Sequence, residues 1–358
     1  MLGESLQRES EKLTHSWMRH DQAMLRDYLV AEVEDPRLNV QSIISRQFLM
    51  SALFGDRFQE LMDHELHFAV AMNWLLAMRQ TLSCREDWEA LAHGLQRGAD
   101  ETEGIEIPVH ISRIFAGLPA TTLGMTVPNY LADFISSRLQ GPGQASPDSL
   151  DLCLQLWKKA LAAEPRPPST LRVLEPACGS ANDYRCLEAC GLARLMDYTG
   201  FDLCAKNVEN ARALYPGACF EAGNVFEIAA ADKTYDLLFA HDLFEHLSPE
   251  GLARAVDEVC RVTRRGLCLG FFNMDEIPEH IVRPVEDYHW NTLSVDRMRA
   301  LFSRHGFDTQ VVHIGSFLRW AASCDRTHNP NAYTFILRRA ASSASLRGGD
   351  GSSPAPFG

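Results

Sequence analysis

The sequence predicts an α/β fold: a doubly wound, largely parallel sheet that follows a helical N-terminal segment. Three observations predict it. Residues 171–182, LRVLEPACGSAN, run from a short β-type stretch through an acid and a turn of small residues into a helix-compatible stretch. Three more β-type runs ending in polar turns follow at 198–203, 219–226 and 235–247, with helical patterns around them, and strands alternating with helices build parallel sheets. Before residue 145 the apolar residues recur at helical spacing instead.

Size and composition bound the answer. At about 150 residues per domain, 358 residues predict two domains. The expected division is a helical cap or oligomerisation domain at 1–145, the sheet domain at 146–340 and a low-complexity, disordered tail at 341–358. With 46% hydrophobic and 23% charged residues the chain can bury a sizeable core. A formal net charge of -13 counts against unspecific nucleic-acid binding, which needs Lys and Arg for phosphate contacts. Ten cysteines without a CxxC pair read as reduced thiols of a cytoplasmic protein, and no paired ligands for zinc stand out. The first residues, MLGESLQRESEK, lack the apolar core of a signal peptide, and the most apolar window, 67–78, is too short to span a bilayer. The expectation is a soluble, cytoplasmic chain with no membrane contact.

The N-terminal segment reads as helices. Trp17, Met18, Met24, Leu25, Tyr28 and Leu29 recur at helical spacing until Asp35-Pro36 breaks the run. Asn39 or Ser42 starts the next helix, whose apolar stripe includes Ile43, Ile44, Phe48, Leu49, Leu53 and Phe54, and Gly55 ends it. The longest helix is expected at 57–81, apolar nearly all round and so buried in its own domain or against a partner. His64 and His67, three apart on it, read either as packing residues or as a metal or acceptor contact. Residues 98–108 read as a loop, and 110–139 as one or two helices interrupted by Pro119 and Pro128. The segment is expected to cap an acceptor pocket or to make a homodimer contact.

In the second half, 141–147 (GPGQASP) reads as a linker, and 148–162 as an amphipathic helix with Asp148 at its N-cap. Then comes the strand with Glu175 and the turn Ala177, Cys178, Gly179, Ser180, Ala181. Small residues let a ligand approach the backbone and a helix N-terminus. Glu175 would repel phosphate and attract a cationic ligand. The strand YTGFDL ends in Asp202, 23 residues past Gly179 (202 − 179 = 23), a place suited to a carboxylate that accepts the hydroxyls of a ribose. Alternatively, Asp202 only caps the helix at 205–214.

These motifs, with CFEAGNVF at 219–226 and YDLLFAHDLFEHL at 235–247, resemble those of the class I S-adenosylmethionine-dependent methyltransferases. The resemblance covers roughly 148–339. It implies a seven-stranded doubly wound sheet with the cofactor S-adenosyl-L-methionine at the strand C-termini. It departs from the family's glycine pattern in the first turn, where Ala177 and Ala181 replace two glycines and Gly179 is kept. By this resemblance Glu175 faces the amino-acid moiety, and Ala177, Cys178 and Gly179 form the loop beneath it. Asp202 and Leu203 take the ribose, and Asn224, where the family usually has Asp, takes the adenine amine with the backbone of Val225. His241 and Asp242 face the methionine part. The helix ending at 264–266 and the strand after it match the family's passage into a fifth strand, and 308–316 and 332–339 read as two final antiparallel strands.

The cluster after the fourth strand admits several readings. His246 or His241 acts as a general base or orients the acceptor. Asp242, Glu245 and His246, with a later His, bind a divalent ion. Or Glu245-His246 merely opens a helix. The long connection 273–292 carries His280, Tyr288, His289 and Trp290, candidate acceptor-pocket residues with His289 as a further catalytic candidate. The expected activity is transfer of a methyl group to an O or N atom of a small-molecule acceptor, without a metal. The alternatives are a metal-assisted RNA methyltransferase and a non-catalytic S-adenosylmethionine-binding module. A nicotinamide oxidoreductase would need a Gly-x-Gly-x-x-Gly turn that ACGSAN does not supply.

Overall fold

The structure is a computed structural model that describes residues 2–18, 35–78, 81–82, 84–99, 101–102, 104–117, 121–122, 125–126, 149–327 and 329–340. The helix expected through Met24 and Leu29, the linker at 141–147, the cap at Asp148 and the tail at 341–358 lie outside the described residues, as do the side chains of Trp17 and Met18.

Seven strands form the central sheet: β1 (Leu171–Pro176), β2 (Met196–Asp202), β3 (Cys219–Ala222), β4 (Tyr235–His241), β5 (Thr263–Phe271), β6 (Phe307–His313) and β7 (Tyr333–Arg339). Their order is β6-β7-β5-β4-β1-β2-β3. Strands β1 to β5 pair in parallel, and β7 runs antiparallel to both β5 and β6. The chain winds from β1 outward to β3, then crosses back to place β4 on the other side of β1. That reversal opens a crevice beyond the C-terminal ends of β1 and β4, the general ligand position in such sheets.

The helices follow from caps and breakers in the sequence. Among the described residues α1 is Glu4–Met18, α2 Val40–Phe54, α3 Gln59–Met78, α4 Arg85–Arg97 and α5 Val109–Gly117. Next come α6 (Leu152–Leu161), α7 (Asn182–Ala189), α8 (Ala205–Leu214), α9 (Pro249–Val262), α10 (Val295–Arg304) and α11 (Ile314–Ala322). Asn39 caps α2 by accepting from the N–H groups of Gln41 and Ser42, and Gly55 ends it. Ser248 caps α9, with Pro249 in the first turn where its missing N–H costs nothing.

Several boundaries differ from the sequence reading. Residues 98–108 contain a small hairpin that pairs Glu101–Thr102 with Ile105–Glu106. The helix expected to end at 264–266 ends at Val262, because Thr263 is drawn into β5 opposite Tyr235 of β4, and Arg264 pairs with Asp236. The strand expected at 308–316 ends at His313, and Ile314 starts a helix instead. Residues 244–246 form one 3-10 turn, since Ser248-Pro249 begins α9 immediately afterwards.

The apolar core has two layers, one on each face of the sheet. One holds Leu174, Phe201, Leu238, Leu267 and Phe335 with α9, α10 and Leu6 of α1. The other holds Val173, Tyr198, Phe220, Leu237 and Phe239 with α2 to α8 and α11. Helices of the 1–145 segment therefore share a core with the sheet. Arg46 of α2 and Glu65 of α3 form a buried ion pair at 2.8 Å, and the Trp157 indole of α6 donates to the same carboxylate at 3.0 Å. His67 lies 3.3 Å from the carbonyl of Ala321 in α11 and is half-buried between helices.

Candidate active site

The turn after β1 is built around backbone conformations that L residues avoid. Ala177, Gly179 and Ala181 have φ of 54°, 53° and 71°. An alanine in this region costs about 1–2 kcal/mol, so two of the three left-handed residues are strained. Hydrogen bonds hold the turn in place: Cys178 N–H donates to the Phe201 carbonyl at 3.0 Å and Gly179 N–H to Asp202 Oδ2 at 2.9 Å. The result is a compact shelf of small residues at the entrance to α7.

Asp202 stands at the tip of β2, buried. Its Oδ1 accepts from Cys204 N–H at 2.8 Å and from Asn207 Nδ2 at 3.2 Å, while Oδ2 accepts from Gly179. A carboxylate offers about four lone-pair sites. The three donors thus leave an acceptor position on Oδ2 beside the shelf, so the residues fit a ribose hydroxyl. Burial raises the Asp202 pKa against the pull of those hydrogen bonds. Leu203 follows it directly at the strand end, half-buried.

Glu175 is buried, with 4% of its surface exposed, and accepts a hydrogen bond from the Tyr198 hydroxyl on β2. Gly200 gives that hydroxyl room, since a Cβ there would lie 2.6 Å from it. Burial, then the negative charges of Asp183 and Asp202, push Glu175 well above the usual carboxylate range. A carboxyl surrounded by like charges fits a cationic ligand, which would favour its ionised form.

Asn224 sits in the turn after β3. Its Oδ1 accepts from Phe226 N–H at 2.9 Å and its Nδ2 donates to Ser10 of α1 at 2.8 Å. Val225 packs its side chain into the core. Beside them an open cleft of about 560 Å³ is lined by Leu2, Ser10, Glu11, His15 and Asn224, among others. Helix α1 continues past this edge: Glu9 accepts from the backbone N–H of Ser248 at 2.6 Å and from its hydroxyl at 2.5 Å.

His241 ends β4. Its Nε2 lies 3.1 Å from Ser45 Oγ of α2, and a Cβ on Gly270 would sit 2.3 Å from its Nδ1, so that glycine is what admits the ring. Burial lowers its pKa. Asp242 follows with φ of 49° and is exposed. Glu245 is completely buried. Its Oε1 accepts from Phe272 N–H at 2.7 Å and its Oε2 has no partner. Burial and the nearby Asp242 push its pKa up to about 8.

His246 faces a different group. Its Nδ1 lies 3.1 Å from the His289 carbonyl, which can only accept, so Nδ1 carries the proton. Burial lowers the His246 pKa, and the neutral ring then presents Nε2 as an acceptor. Phe272, Tyr288 and Trp290 surround the ring, while the His289 Nδ1 is buried without a partner. His280, another candidate, accepts from Ser294 N–H at 2.9 Å and so helps fix the start of α10. Among the described residues no three His, Cys, Asp or Glu side chains converge as metal ligands.

The strand-end residues Glu175, Asp202, Asn224 and His241 thus gather along the crevice, whereas His246, His289 and Trp290 form a second group beyond β4 and β5. Sequence reasoning missed Gln41, Ser45 and Tyr198. Gln41 Nε2 donates to the Tyr333 carbonyl at 2.7 Å and the Phe271 carbonyl at 3.2 Å. No local motif marks these residues, because their partners lie far along the chain or on a neighbouring strand.

A methyltransferase-domain family model matches residues 174–269. No curated protein matches the chain. Among solved structures, the YcgJ protein of Bacillus subtilis is 16% identical with a TM-score of 0.36, covering 53% of this chain and 98% of that one. An S-adenosylmethionine-dependent methyltransferase of Mesorhizobium loti is 16% identical with a TM-score of 0.38, covering 51% and 96%. A Burkholderia thailandensis 1,6-didemethyltoxoflavin-N1-methyltransferase with bound S-adenosylhomocysteine is 14% identical with a TM-score of 0.36, covering 52% and 78%. No helix among the described residues is long and apolar enough to cross a membrane. From the family match and the order of its sheet, the chain carries a class I S-adenosylmethionine-dependent methyltransferase domain, and its cofactor is S-adenosyl-L-methionine.

Proposed function

We propose that the enzyme transfers the methyl group of S-adenosylmethionine to an O or N atom of a small-molecule acceptor. The observation that carries this reading is His246, a neutral imidazole with its proton on Nδ1, set in an aromatic enclosure beyond the cofactor crevice. The cofactor supplies an electrophilic methyl group on a sulfonium. Glu175 meets its ammonium group; Ala177, Cys178 and Gly179 form the shelf beneath it; Asp202 and Leu203 take the ribose. Asn224 and the Val225 backbone take the adenine, and His241 and Asp242 border the methionine portion.

Charge is neutralised as the methyl group moves, so alignment and exclusion of water matter more than strong acid–base groups. His246 takes the acceptor's proton through Nε2, and the His289 carbonyl steadies the resulting imidazolium through Nδ1–H. His241 and His289 position the acceptor. The 1–145 segment covers the site or supplies the contact surface of a homodimer, and the enzyme acts in the cytoplasm. The net charge of -13 disfavours an RNA acceptor. Incubating cell extract with the enzyme and an isotopically labelled methyl donor, followed by mass spectrometry, tests this. A labelled small molecule is expected; label found only in RNA or protein contradicts it.

A further inference from the structure

The aromatic group around His246 is more than packing. Trp290 is 43% exposed, although its ring lies only 4.8 Å from Phe272 and 5.6 Å from His246. Tyr288 stands edge-on to His246 at 5.7 Å, and the Phe272 ring lies 5.5 Å from it at 33°. The wall is held by backbone bonds: Trp290 N–H donates to the Arg283 carbonyl at 2.8 Å and Asn291 N–H to the Glu245 carbonyl at 3.0 Å. Ile281 and Val282, 43% and 42% exposed, extend the apolar surface. An indole left open to solvent beside an imidazole whose proton is fixed on Nδ1 fits a partner with a π-face.

We infer that the acceptor is a planar aromatic molecule carrying a hydroxyl group, stacked against Trp290, Phe272 and Tyr288 with its oxygen at His246 Nε2. This rests on the methyl-transfer reading above and names the acceptor class for that site. The proton decides for a hydroxyl. An amine can lose its proton to water before it binds, whereas a hydroxyl must lose it as the methyl group arrives. It decides also for an aromatic hydroxyl. A phenol, with a pKa of about 10, can yield its proton to a neutral imidazole. An aliphatic hydroxyl, close to water at about 15.7, yields it far less readily. In the step, the acceptor O–H proton moves to Nε2 and an oxygen lone pair forms the new O–C bond to the methyl carbon. The C–S bond breaks and its electron pair stays on sulfur, giving an aryl methyl ether and S-adenosylhomocysteine. His246 then returns the proton to solvent.

The test uses the full chain saturated with S-adenosylhomocysteine, titrated calorimetrically with 1-naphthol, its saturated analogue decahydro-1-naphthol, and tetramethylammonium. The expected result is that 1-naphthol binds about tenfold more tightly than the saturated alcohol. Trp290→Leu and Phe272→Leu, each checked for folding by circular dichroism, should remove that preference. With S-adenosylmethionine present, mass spectrometry should find methoxynaphthalene, and His246→Gln should slow its formation by about 10²–10⁴-fold while keeping 1-naphthol affinity. Equal affinity for the two alcohols, tighter binding of tetramethylammonium, or a preference unchanged in Trp290→Leu overturns the inference. If S-adenosylhomocysteine itself does not bind, the cofactor reading fails instead, so the two failures are distinguishable.

Discussion

Ser45 Oγ of α2 lies 3.1 Å from His241 Nε2 at the end of β4, across 196 residues of sequence. The same hydroxyl lies 3.3 Å from Cys268 Sγ on β5. One N-terminal side chain thus joins β4, which borders the crevice, to its neighbour β5. Loss of such a hydrogen bond costs about 1 kcal/mol, so Ser45→Ala should lower thermal stability modestly. It should also weaken S-adenosylhomocysteine binding severalfold by freeing the His241 ring. Calorimetric titration and a melting curve check both, and a variant identical to wild type in affinity removes His241 from the site.

The buried pair Arg46–Glu65 predicts how firmly the N-terminal helices belong to the sheet. Removing one partner of a buried pair leaves an uncompensated charge and costs about 3–5 kcal/mol. Glu65→Ala also strips the Trp157 indole of its acceptor. Denaturant unfolding should show one cooperative transition shifted to lower concentration. Two separate transitions, with only the first shifted, would mean that the helices of 1–145 unfold apart from the sheet.

Glu245 makes stability depend on pH. Its folded pKa of about 8 lies above the unfolded value, which is about 4.3. Between those values the folded state holds a proton that the unfolded state has lost, so stability falls as pH rises, by up to about 1.4 kcal/mol per pH unit. The loss levels off above pH 8. Glu245→Gln mimics the neutral form and should flatten the profile and stabilise the protein at alkaline pH. Melting temperatures across the range for both proteins read this out, and parallel profiles refute it.

His246 sets the pH dependence of the reaction. As a base it must be neutral, and burial lowers its pKa below the ordinary value of 6.5. The rate should therefore hold down to that pH and fall only below it. His246→Gln should slow turnover by 10²–10⁴-fold while leaving cofactor affinity unchanged. A rate equal to wild type, or a profile that falls above pH 7, contradicts the role.

The crevice was legible in the sequence because its parts are local. Glu175, Asp202 and Asn224 each follow a short β-type run and precede small or polar turn residues, and that pattern survives folding. What could not be read is what those side chains meet. Glu175 turns to Tyr198, Asn224 to Ser10 and His241 to Ser45, each across a distance in sequence that no local pattern spans. The boundary errors have a similar cause. Val262 and Thr263 carry β-branched side chains compatible with either state, and pairing with Tyr235 places Thr263 in the strand. At 313–316 the sequence, HIGS, carries no period of either kind, and the chain turns into α11, which packs against α3.

Titration of the wild-type chain and of Asp202→Ala with S-adenosylhomocysteine decides whether Asp202 grips the ribose of the cofactor. The wild type should bind saturably, and the variant should lose about 1.5–3 kcal/mol for each charge-assisted bond removed, with an unchanged circular dichroism spectrum. Equal affinity in the folded variant would contradict it.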